Sequence, residues 1–109
     1  LSKVKQFNNF LTSFKELNRN FNSCKKVLVE FYHYDMPSEP TISVLNYIDE
    51  IIFDEIDKEN IIEIRFSGGT DICFRENLHN TNLSGGSVVF SSKHDGETYY
   101  LISFYEEVI

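Results

Sequence analysis

The sequence predicts an α+β fold: an N-terminal helix packed on an antiparallel sheet of about five strands, with residues 41–56 a second helix (or an extra strand). Three observations predict it. Apolar residues recur at three- and four-residue spacing from Ser2 to about Asn22, the period of one helix face. The stretch 87–105, SVVFSSKHDGETYYLISFY, sets two β-branched and aromatic runs around a polar segment ending in Asp95-Gly96, a hairpin pattern. The remaining apolar runs are short, rich in Ile and Val, and separated by polar turns, which favours an antiparallel meander. At 109 residues, the chain is expected to be a single globular domain, 1–109.

The helix carries a stripe of Val4, Phe7, Phe10, Leu11, Phe14, Leu17 and Phe21. Five asparagines between Asn8 and Asn22 are poor helix formers, so this helix depends on docking against a sheet. Residues 26–34 (KVLVEFYHY) read as a strand, with Val27, Val29, Phe31 and His33 on one face. Pro37 and Pro40 mark the following loop. Residues 41–56 are ambiguous. Val44, Leu45, Ile48, Ile51 and Ile52 fit a helical stripe, whereas the Ile content suits a strand; the helix is the reading adopted. A polar turn at 57–60 leads to a strand at 61–66. Ser67-Gly68-Gly69 then turns the chain into a return strand at 70–75. Residues 76–86 read as the longest polar loop. The closing hairpin pairs 88–91 with 98–105 before a short acidic tail at 106–109. Its second strand is apolar on both faces, so it is expected inside the sheet with cover above and below.

Charge narrows the function. The net charge is −7, but residues 1–26 hold six basic groups against Glu16 alone, and residues 27–109 hold four basic against sixteen acidic groups. An acidic body repels phosphate, which disfavours nucleic acid. No apolar run is long enough to span a membrane, and no signal-peptide pattern opens the chain. Cys24 and Cys73 are too few for a disulfide framework. Together these lead to the expectation of a cytoplasmic protein with buried free thiols.

No catalytic, cofactor or metal motif stands out. His33, His79 and His94 are too dispersed for a metal signature, and the paired glycines precede strands rather than helices. Glu30, Arg65 and a loop histidine, His79 or His94, sketch a compact ribonuclease-like site if their strands pair suitably. The ordinary reading of that set is a cross-strand ion pair. The denser feature is acidic. Asp49, Glu50, Asp54, Glu55, Asp57 and Glu59 crowd one stretch, with Tyr47 and Phe53 among them. These eight residues are the candidate partner-binding site, where carboxylates speed encounter with a basic protein and exposed aromatics anchor it.

In size, charge and lack of reactive groups the chain is similar to small bacterial immunity and antitoxin proteins, which neutralise basic nuclease toxins. The resemblance implies a toxin-neutralising binding protein. The alternatives are the ribonuclease-like enzyme and an adaptor or oligomeric subunit that pairs through the sheet's second apolar face.

Overall fold

The computed structural model describes residues 2–23 and 26–105, with side chains from Phe10 onward. Val4 and Phe7 of the helix stripe, Cys24 and the tail 106–109 lie outside the described side chains or residues. The order is α1 (Ser2–Ser23), then β1 (Lys26–Tyr32), β2 (Ile42–Ile56), β3 (Glu59–Phe66), β4 (Asp71–Arg75), β5 (His79–Ser84), β6 (Ser87–Ser92) and β7 (Tyr99–Tyr105).

The expected fold needs correction in two places. The sheet has seven strands rather than about five, and residues 41–56 are not a helix. They contain the whole of the 15-residue β2, which pairs with β1 through its first half and with β3 through its second. Its isoleucines pack well on a pleated, half-buried surface, and ladders on both sides outweigh any local helical tendency. The second addition is β5, inside the stretch read as a polar loop. Among the described residues it is an edge strand, bonded only to β6, and such a strand keeps one backbone edge wet and tolerates polar side chains.

All pairings are antiparallel, in the order β4-β3-β2-β1-β7-β6-β5. A flat sheet would hold β4 and β6 five strand spacings apart, about 24 Å. Yet the Phe74 ring of β4 stacks on the Phe90 ring of β6 with centroids 3.9 Å apart. The sheet is therefore rolled into a partly open barrel. A register shift in β2 between Ile48 and Glu50 supplies part of the bend, since a bulge kinks its strand and increases twist.

The core lines the inside of this roll. Val27 and Val29 of β1, Ile48 and Ile51 of β2, and Ile62 and Ile64 of β3 are buried there, as are Phe74, Val88, Phe90 and Ile102. Helix α1 lies across the inner face, against β5, β2 and β6. Phe10 and Leu17 are fully sunk into the core, each contributing about 1.5–3 kcal/mol. Phe14 packs on Phe53, centroids 5.2 Å apart. Leu11 instead stands exposed, so the packed stripe is narrower than the sequence suggests.

Tight turns hold the strands in register. The β2–β3 hairpin turns on Asp57 and Lys58, both with positive φ of 52° and 65°. Two left-handed residues in a two-residue loop match the twist of the flanking strands. Before β7, Asp95 accepts hydrogen bonds from the Glu97 and Thr98 amides and the Thr98 hydroxyl. These bonds hold its carboxyl below the ordinary carboxylate value.

Candidate functional site

Strand alternation and one bulge decide what the acidic stretch presents. Beyond the bulge, Ile51 and Phe53 face inward, paired with Ile64 and Ile62. Glu50, Ile52, Asp54 and Ile56 occupy the opposite, outer face. Phe53 is therefore not an exposed anchor. Its ring meets Phe10 and Phe14 of the helix at 6.2 and 5.2 Å. Glu59 is withdrawn as well. It is buried, ion-paired to Arg75 at 2.6 Å, and accepts the Asn77 amide at 3.0 Å. Glu50 pairs with Arg65 at 3.2 Å, and Asp49 accepts the Ser67 hydroxyl at 2.9 Å. Asp57 stands in the hairpin turn, and Glu55 is exposed beside it. Of the eight candidate residues, Tyr47, Asp49, Glu50 and Asp54 thus lie along the outer side of β2 or at its bulge.

Tyr47 belongs to a larger surface. Registers set Lys26 between Tyr47 and Tyr105, Leu28 between Leu45 and Ser103, Glu30 between Ser43 and Leu101, and Tyr32 beside Tyr99. Val89 extends the same face from β6. Leu45, Tyr47 and Tyr105 are 55%, 44% and 46% exposed. Tyr32 and Tyr99 stack at 4.7 Å, and the Tyr32 hydroxyl donates to Glu30. Desolvation, then that bond to Glu30, raises the Tyr32 hydroxyl above its ordinary value. Lys26 stands 5.9 Å from the Tyr47 ring centre. The helix packs on the opposite, inner face. The sequence predicted cover above and below β7. What it supplied is cover on one side and an apolar, tyrosine-rich surface on the other.

The ribonuclease-like set does not assemble. Glu30 pairs with Ser43, while Arg65 pairs with Glu50 across the next ladder. Seven residues of β2 separate those two positions, roughly 20 Å along the strand. Arg65 is engaged by Glu50 and Glu63. His33 contacts Phe31 and Tyr34, and its Nδ1 accepts the Asp35 amide. Cys73, expected to be buried, is exposed on β4. Partial desolvation, then the Glu63 charge, pushes its thiol above the ordinary value, which keeps it protonated and a weak nucleophile at neutral pH.

His79, expected in a loop, opens β5 and has a structural place. His79 lies edge-on to Phe74 at 5.4 Å, with Nδ1 3.3 Å from the Arg75 carbonyl. Burial pushes its imidazole below the ordinary value of 6.5. The folded protein therefore prefers neutral His79, whereas the unfolded chain takes up a proton near 6.5. That contribution to stability is complete above 6.5 and is lost as pH falls through 6.5 towards the lower folded value. Urea midpoints at successive pH values should decline over this window, and less so in His79→Gln. Equal slopes in the two proteins would refute the assignment.

The rolled sheet also leaves a cavity of about 320 Å³ at one mouth. One wall is Val29, Phe31, Ile42, Val44 and Tyr100; the other is Phe66 and Ile72, with Thr70 and Asp71. A polar hollow adjoins it through Phe66, Thr70 and Asp71, and adds Asp49, Glu50 and Arg65. Sequence reasoning missed this cavity because it depends on β3–β4 rolling up opposite β1 and β2. Among the described residues no group of three or more His, Cys, Asp or Glu is arranged to hold a metal ion, and no helix is long and apolar enough to cross a membrane. No protein-family model, curated protein or solved structure matches the chain.

Proposed function

We propose that this chain is a small acidic binding protein that docks a basic protein through the outer face of its sheet, in the manner of a toxin-neutralising immunity or antitoxin protein. The observation that carries the reading is the apolar outer face, with Leu45, Tyr47 and Tyr105 exposed around Leu28. Tyrosine-rich apolar surface of this kind is enriched at the centre of protein interfaces. Charge selects the partner. Asp49, Glu50 and Asp54 flank Tyr47 on the same strand, and Glu30 lies within the face. The net charge of −7 attracts a basic protein, such as a nuclease toxin, and repels a second copy of this chain. The reading implies the cytoplasm as the compartment, where such toxins act. Phe53 and Glu59 have no part in the contact, because both are spent on the protein's own packing.

The test starts from the partner that copurifies with the native protein from its host. Tyr47→Ala combined with Leu45→Asp should weaken that complex by about 30-fold or more, mainly through faster dissociation. Charge reversal at Asp49 and Asp54, or higher salt, should instead slow association. A complex indifferent to all three changes would rule this face out as the interface.

A further inference from the structure

We propose that the mouth of the rolled sheet is a binding site for a small amphipathic amine, an aromatic or branched aliphatic body carrying one ammonium group. Its apolar walls lie inside the roll, away from Leu45 and Tyr47 of the docking face, while the polar hollow beside it shares Asp49 and Glu50 with that face. Mouths of β-barrels are recurrent ligand sites, and small-molecule pockets start at about 300 Å³; this cavity holds about 320 Å³. Its apolar walls are incompletely used by the fold: Ile42 and Val44, which line it, are 55% and 45% exposed. That exposure is the apolar surface a ligand body would cover.

The sign of the ligand's charge follows from what borders the cavity. Asp71 lines both the apolar cavity and the polar hollow beside it. The hollow brings Asp49, Glu50 and Asp71 together with Arg65, which stands opposite Asp71 across the β3–β4 ladder and is paired to Glu50 and Glu63. Carboxylates therefore outnumber the cation there. A ligand body inside the apolar walls would place a terminal ammonium near Asp71, whereas a carboxylate or phosphate would meet net repulsion. A small molecule fits better than a partner's side chain, since the cavity lies on the inside of the roll and the docking face on its outside.

The probe is 4-phenylbutylamine, titrated into the full chain by NMR, with 4-phenylbutanol as the neutral control and 4-phenylbutyrate as the anionic one. The amine should saturate below about 5 mM and shift Val44, Ile72 and Tyr100, with the alcohol about fivefold weaker and the butyrate weaker still. Asp71→Asn should bring the amine to the alcohol's affinity and leave the alcohol unchanged. Equal binding of amine and alcohol, shifts confined to other residues, or no saturation would overturn the proposal. Binding of an acetyl-Phe-Arg-amide peptide but not of the amine would also overturn it, in favour of a partner's side chains. None of these outcomes bears on Tyr47 and Leu45, so failure here and failure of the docking face are distinguishable.

Discussion

Phe74→Ala is expected to cost about 3–5 kcal/mol, the range for emptying a buried aromatic site. Against a total stability of about 5–15 kcal/mol, that is among the largest losses expected of a single side chain among the described residues. The ring is 1% exposed. It stacks on Phe90 at 3.9 Å and meets Tyr100 and His79 edge-on at 5.3 and 5.4 Å. Among the described residues no backbone ladder joins β4 to β6 or β7, so this aromatic cluster fastens the roll. Phe90→Ala should cost a similar amount, and the double variant less than the sum, because both changes empty one shared space. Urea unfolding of the three variants measures this. A cost for Phe74→Ala below about 1.5 kcal/mol would mean that the roll is held by something else.

The second large effect belongs to Glu59 and Arg75. The Glu59 side chain is 8% exposed and Arg75 is 51% exposed. Glu59 accepts Arg75 Nε at 2.9 Å and the Asn77 amide at 3.0 Å, tying the start of β3 to the turn between β4 and β5. Because one partner is buried and the other is half in water, the two deletions are unequal. Arg75→Ala leaves a buried carboxylate with only the Asn77 amide, and should cost about 2–4 kcal/mol, less than for a fully buried pair. Glu59→Ala lets the guanidinium rehydrate and orphans one amide, a loss of about 1–3 kcal/mol. A double-mutant cycle should show positive coupling. If Glu59→Ala proves clearly worse than Arg75→Ala, the carboxylate serves packing rather than charge.

The strand at 41–56 shows why part of the fold was illegible. Inward positions along a regular strand alternate, but a bulge adds one residue and shifts the phase. Val44, Ile48 and Ile51 all point inward across the irregularity at Ile48/Glu50. Their spacing of four and then three residues reproduces the signature of a helix face. β5 was hidden differently: His-Asn-Thr-Asn-Leu-Ser buries only Thr81, so it carries no apolar period. The helix and the two-faced apolar character of β7 were readable because both rest on repeated side-chain patterns. For the candidate site, the acidic stretch was visible as composition. Which acids remained available was not, because Glu59 finds Arg75 sixteen residues away and Phe53 finds the helix.

Among the described strands the last in chain order, β7, is not at the margin of the sheet but between β1 and β6. Lys26 is matched with Tyr105, so one central ladder joins the beginning of the sheet to its end. A growing chain on the ribosome could close the β2–β3 and β5–β6 hairpins early, yet β1 would wait with one backbone edge open until β7 had been made. Contacts so distant in sequence form slowly, and an unpaired apolar edge is prone to aggregate. Assembly of the sheet thus has a vulnerable interval between the making of β1 and that of β7, and chaperone occupancy during that interval bears on yield.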